Sequence, residues 1–211
     1  MHMHINVSYF ARFLAVLAVG LALAGPGWAA QRPDPAVMVK STSDQVIKAL
    51  KEKNYQGPER RAALLKLVDE IVLPHFDFNR MSQWVMARNW RTMTPAQQKQ
   101  FVQLFRDLLV RTYSNSLTNY RDQKIEVSGT TIDPASGDAL VRMVVRQNGN
   151  EADVPIVYRL YWTGSAWKVY DVTIDNVSLV TNYRASFGRI ASQQGIDALL
   201  QRLQQRAKEA G

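Results

Sequence analysis

Few residues of this chain are of a type that could do bond chemistry. His75 is the one histidine beyond the first four residues, and it stands two positions before Asp77 in Pro74-His75-Phe76-Asp77-Phe78. An imidazole beside a carboxylate could serve as a general base. Sequence spacing alone does not establish that geometry, and a hydrogen-bonded structural histidine at a helix start is the competing reading. Carboxylates stand together at Asp69-Glu70 and recur at Asp171 and Asp175. Two carboxyls facing one another across a cleft would suit glycoside hydrolysis. A strand-end turn followed by a helix cap explains Asp171 and Asp175 equally well. The chain has no cysteine, which removes disulfides, thiolate nucleophiles, cysteine–zinc centres and acylation of a lipoprotein cysteine. One histidine cannot build a His-rich metal site. The sequence has no G-x-S-x-G, Walker loop, G-x-G-x-x-G or H-E-x-x-H, so no catalytic class is specifically indicated. The expectation is a protein that is not an enzyme and needs no cofactor.

The 211 residues carry a net charge of +8. His2, His4 and Arg12 precede an apolar run at residues 13–24, broken by Gly25-Pro26. That run is too short to span a bilayer as a stable helix. With small residues at Gly27 and Ala29, it predicts a secretory signal peptide over residues 1–29. An exported, cysteine-free chain suits a bacterial periplasm. There, nucleic acid is not the expected partner of the basic charge; lipid phosphates and acidic protein surfaces are. A plain solvated surface is the alternative for Arg88, Trp90 and Arg91, for Arg159 and Tyr161, and for Arg184 and Phe187.

The elements that must position these residues follow from periodicity. Asp34 and Pro35 can open a first helix carrying Ala36, Val39, Val46, Ile47 and Leu50, ended by Asn54 and Gly57. Pro58 opens a second, with Leu64, Leu65, Leu67, Val68 and Ile71 inward, stopped by Pro74. Asp77 can cap a short third helix with Phe78, Met81, Trp84 and Val85. Thr94-Pro95-Ala96-Gln97 is a capping box with proline at the first helical position. Behind it Phe101, Leu104, Phe105, Leu108, Leu109, Thr112, Tyr113, Leu117 and Tyr120 share one face, predicting a spine helix to about Arg121. Residues 125–132, 139–147, 151–162 and 166–174 are rich in Val, Ile, Tyr and Thr and are separated by turn dipeptides, of which Asn148-Gly149 is the strongest. They predict a four-stranded antiparallel meander. After Asp175 the period is helical again, interrupted at Gly195, with Asp197 starting a last helix. The expectation is an α+β chain with helices on one face of a twisted antiparallel sheet. Within residues 30–211 it has a helical part at 34–122, a sheet at 125–174 and C-terminal helices at 176–209.

Two blocks carry a resemblance. The first is Pro74-His75-Phe76-Asp77-Phe78 with Met81, Trp90, Thr94, Gln97, Phe101, Phe105, Leu108, Tyr113, Leu117 and Tyr120. The second is Trp167-Lys168-Val169-Tyr170-Asp171-Val172-Thr173-Ile174-Asp175-Asn176-Val177-Ser178-Leu179-Val180-Thr181-Asn182-Tyr183-Arg184-Ala185-Ser186-Phe187, closed by Gly195-Ile196-Asp197. Both resemble the MlaC family, also called the toluene-tolerance family, over essentially the whole chain after residue 29. The resemblance implies a periplasmic phospholipid-binding protein, monomeric, with phospholipid as cargo. It implies partners in an outer-membrane lipoprotein–porin complex and an inner-membrane ABC transporter with an MCE-domain ring, and a role in outer-membrane lipid asymmetry. It also implies an NTF2-like lobe plus a helical lobe enclosing an apolar cavity.

With that expectation, lining residues are sought on the strands and the spine helix. The candidates are Trp84, Phe101, Phe105, Leu108, Tyr113, Val141, Met143, Val145, Ile156, Tyr158, Leu160, Val169, Val172 and Val177. Plain core is the other reading of each. Two rival classes stay open: a small hydrolase or isomerase using His75 with Asp77 or Asp171, and a solidly packed interaction protein.

Overall fold

The computed structural model of the protein describes residues 32–52, 59–114, 117, 122–149 and 151–209. The expected signal peptide, the helix break at Asn54 and Gly57, the start at Pro58 and the end of the spine helix at Tyr120 and Arg121 lie outside them.

The helices begin where capping chemistry places them. Helix α1 spans Pro35–Glu52, and the Ala36 N–H donates to Asp34 Oδ1 at 2.9 Å. Helix α2 (Arg60–Leu67) runs into a π-helical turn, Val68–Val72, and a 3-10 turn, Leu73–His75. Pro74 has no N–H to donate to the preceding turn, and the helix loosens ahead of it. Helix α3 (Phe78–Met86) is capped by Asp77, whose Oδ1 accepts from the Arg80 N–H at 2.8 Å. A 3-10 segment, Ala87–Thr92, leads to α4 (Pro95–Ser114). The capping box is formed in both directions. The Thr94 N–H donates to Gln97 Oε1 at 2.9 Å, and the Gln97 N–H donates to Thr94 Oγ1 at 3.2 Å.

The sheet is a meander in the order β1 (Lys124–Ile132), β2 (Ala139–Arg146), β3 (Val154–Trp162), β4 (Trp167–Ile174) and β5 (Val177–Ser178), every pair antiparallel. The four expected strands are present. The fifth is a two-residue strand that pairs Val177 with Ile174 before the chain turns into α5 (Leu179–Gln194). Ser178 caps α5, its Oγ accepting from the Thr181 N–H at 3.1 Å. Gly195, at φ 86°, ends α5, and α6 (Ile196–Glu209) follows.

One face of β2 (Ala139, Val141, Met143) is buried, while Arg142 and Arg146 on the other face are exposed. The helices lie over the buried face: Ser43 of α1 reaches Met143 Sδ at 3.7 Å. The sheet's main helical neighbours are α1, α3 and α5. Those of α4 are α2, α3 and α6. Buried residues form two apolar clusters. The larger joins α3, α4, α5 and α6 to the sheet. The smaller joins Val46 of α1 to Leu67 and Val68, with Val110 and Leu117 against it. Among the described residues no helix is long and apolar enough to cross a membrane.

Candidate functional site

The residues with potential for bond chemistry are occupied by structure. Asp77 caps α3 and its second oxygen accepts from the Tyr161 hydroxyl. Asp171 is buried, accepting from the Val180 N–H at 3.1 Å and the Ser178 hydroxyl at 2.7 Å. It anchors the start of α5. Asp175 is exposed in a left-handed turn at φ 47°. His75 is half-buried, and Lys168 lies nearby with its ammonium on the Pro74 carbonyl. Burial first, and then the Lys168 charge, hold the His75 imidazole below its usual 6.5. Asp69 pairs with Arg106 across to α4. Among the described residues no group of three His, Asp or Glu side chains is placed to hold a metal.

The inner face of the sheet has a different character. Register places Val141, Tyr158 and Val172 in one cross-strand row, and Met143, Ile156 and Ile174 in the next. Ala139, Leu160 and Val169 form a third row. Val169 and Val172 differ in sequence parity and would face opposite sides of a regular strand. The register shift between Arg159 and Leu160 leaves Tyr170 as an extra residue. That bulge restores both valines to one face.

The rows differ in enclosure. Val141, Leu160, Val169 and Val172 are buried, as is Met143. Toward the other end of the strands, Ile125, Val127, Val145, Ile156 and Ile174 are only half-buried, and so is Tyr158 in the middle row between buried Val141 and Val172, although all share the covered face. Tyr158 is the clearest of them. It lies so deep that loss of solvation pushes its hydroxyl up to about 12. Part of its surface is nevertheless open. Leu108 on α4 is half-buried against the larger cluster, and Ile71, Val72 and Leu73 are half-buried against the smaller one. Ile125, Val127 and Ile174 share this face but are not among the sequence candidates; the alternation along β1 is the sequence signal for the first two, whereas Ile174 is placed by its pairing with Ile156.

The remaining predicted residues lie elsewhere. Phe101 and Phe105 are fully buried in a ring cluster with Tyr183 and Phe187 of α5, centroids 5.1–6.1 Å apart. Tyr113 lies near Tyr183; burial first, and then that neighbour, raise its hydroxyl above the usual value. Trp84 is 44% exposed and Val177 is 52% exposed, so both face solvent in this structure. A separate cleft of about 710 Å³ runs beside the start of α4, bordered by Trp90, Lys99 and several glutamines. It does not include the sheet.

Comparison with known proteins agrees with this architecture. The family model described as MlaC protein matches residues 40–205. The toluene tolerance protein ttg2D of Pseudomonas putida is 30% identical over 174 residues, 80% of this chain and 77% of that protein. The intermembrane phospholipid transport system binding protein MlaC of Haemophilus influenzae is 26% identical over 182 residues, 83% of each chain. A solved structure of a phospholipid-binding protein from Ralstonia solanacearum, in complex with a phospholipid, is similar with a TM-score of 0.74. It is 32% identical and covers 84% of this chain and 98% of that one. The two sequence blocks, the α+β meander under helices and the span of the family match lead to one conclusion: the chain belongs to the MlaC family.

Proposed function

We propose that this protein binds phospholipid through its acyl chains and carries it across the periplasm without bond chemistry. The observation that carries the reading is the set of half-buried apolar side chains on the sheet's covered face, among them Tyr158, which is deep and yet keeps open surface. Two acyl chains expose about thirty CH₂ groups, each costing roughly 0.8 kcal/mol in water. A free lipid therefore faces a barrier on the order of 20 kcal/mol, which an apolar recess offsets. Aliphatic walls suit this cargo because their contacts are non-directional and tolerate chains of different length.

In this reading Val145, Ile156, Tyr158 and Leu108 contact the cargo directly, with Met143 and Val141 at the recess floor. Phe101, Phe105, Leu160, Val169 and Val172 hold its frame. The carrier is a monomer exported by residues 1–29. It exchanges lipid with an outer-membrane lipoprotein–porin complex and an inner-membrane MCE/ABC transporter, thereby maintaining outer-membrane lipid asymmetry. A bilayer and an apolar recess offer acyl chains similar surroundings, so net direction comes from the transporter. The relatives named for phospholipid transport and phospholipid binding support the cargo class. The occupied states of Asp77 and Asp171 weigh against the hydrolase alternative.

Native mass spectrometry of the purified mature chain tests the reading. A phospholipid adduct near one per protein is expected. A lipid-free protein that takes up none from added vesicles would overturn it.

A further inference from the structure

Two acid-free stretches of the chain lie together in the fold. Residues 78–106 carry Arg80, Arg88, Arg91, Lys99 and Arg106, and residues 176–196 carry Arg184 and Arg189. The fold packs these stretches together: α5 lies against α3 and against the 3-10 segment that follows it. Arg184 Nε donates to the Trp84 carbonyl at 2.7 Å, and its guanidinium carbon is 5.9 Å from the Trp84 ring centre. Trp84 is held from the other side by Tyr170 at 5.7 Å, yet remains exposed. Four residues on, Arg88 is exposed, and so is Arg91. Between Trp84 and Arg88 the chain turns through Ala87 at φ 47° and ψ −121°, a backbone region that residues with a Cβ seldom adopt.

Among the described residues, the ion pairs engage lysines and arginines elsewhere, and none involves Arg88, Arg91 or Arg184. The nearby Asp138 is already held by Arg80 and by the Tyr170 hydroxyl, and Asp77 by Tyr161 and the α3 N–H. An exposed indole with Arg184 against it, followed in the chain by the exposed Arg88 and Arg91, combines two surface chemistries. Indole settles at the boundary between headgroups and acyl chains. Guanidinium pairs with phosphate oxygens through two parallel hydrogen bonds.

We propose that Trp84, Arg88, Arg91 and Arg184 form a docking patch for an anionic phospholipid surface. The patch stands beside the Asp138 end of β2, whereas the proposed lining runs from Val141, opposite Tyr158, to Val145, about 10 to 23 Å further along the strand. Docking and cargo retention are therefore separable by substitution.

Sedimentation of the mature protein with vesicles tests the patch. Phosphatidylglycerol-containing vesicles are expected to carry the protein down at low ionic strength, and pure phosphatidylcholine vesicles are not. Each cation near an anionic surface contributes about fivefold in affinity, so R88E/R91E is expected to weaken binding by at least about 25-fold. Both side chains are exposed and outside the packed core, so the fold is retained. Trp84→Phe is expected to weaken binding to a smaller extent and to retain part of the salt dependence. Equal sedimentation with both vesicle types, or R88E/R91E binding like the parent, would overturn the proposal. So would a patch that captures an acidic protein and ignores vesicles. Native mass spectra of the same samples report cargo. Lipid loading unchanged in R88E/R91E supports a docking role distinct from the recess. An unloaded parent protein that still sediments with anionic vesicles would remove the carrier reading while the patch stands.

Discussion

Tyr158 concentrates the residue-scale argument. Its hydroxyl has no hydrogen-bond partner among the described residues, and its ring sits on the covered face of the sheet between Val141 and Val172. Tyr158→Phe is expected to change unfolding stability by no more than about 1 kcal/mol, read by chemical denaturation, and to keep the cargo. Ile156→Glu, one row away, puts a carboxylate against acyl chains. A several-fold drop in the lipid-loaded fraction is expected in native mass spectra, with the far-ultraviolet dichroism unchanged. Full loading of Ile156→Glu would remove Ile156 from the recess wall. His75 provides a pH prediction. Its folded-state value lies below 6.5, so the unfolded chain takes up the proton more readily. The stability from neutral His75 is fully present above the unfolded value, is eroded as the pH falls below it, and is gone below the folded value. Between about pH 7 and about pH 5 the melting temperature of the parent is therefore expected to fall further than that of His75→Gln. Equal slopes would show that the imidazole is not linked to folding.

At the scale of elements, the helix starts are local chemistry and can be tested locally. Thr94→Ala removes the acceptor for the Gln97 N–H and is expected to cost about 1 kcal/mol, with Thr94→Ser restoring most of it. Ala87 is the opposite case. Its positive φ strains any residue with a Cβ, so Ala87→Gly is expected to stabilise the protein by about 1 kcal/mol in a denaturant titration. A destabilised Ala87→Gly would mean that the turn is not strained. The bulge at Tyr170 matters more for function than either cap. It allows four consecutive residues of β4, from Val169 to Val172, to be buried. Tyr170 turns to Asp138 and Trp84, Asp171 anchors α5, and the two valines complete the inner face.

At the scale of the whole molecule, the apolar interior is divided into two clusters, of which the larger contains the covered face of the sheet. Here α4 is backed by α2, α3 and α6 while the sheet is backed by α1, α3 and α5. The half-buried apolar side chains of the sheet, with Leu104 and Leu108 of α4, pack against the larger cluster. The proposed docking residues lie on helical segments, whereas the proposed lining lies on the strands from Val141 to Val145, so substitution can alter surface attachment and cargo holding separately.

By itself the sequence determined the order of elements, the capping box at Thr94, the caps at Asp77 and Asp34, the helix stop at Gly195 and the four long strands. These depend on hydrogen bonds within a few residues and on the twofold or 3.6-fold repeat of apolar side chains. Tertiary structure decided the rest. The π-helical turn at Val68–Val72, the two-residue strand at Val177–Ser178 and the bulge at Tyr170 arise from pairing with distant segments. Which inward-facing residues are enclosed and which keep open surface was likewise settled there. Phe101 and Tyr158 carry the same apolar signature in sequence, but one is sealed by rings from α5 and the other keeps part of its surface open. A hydrophobic repeat states that a side chain turns inward; only the neighbours brought by the fold state whether anything fills the volume it meets.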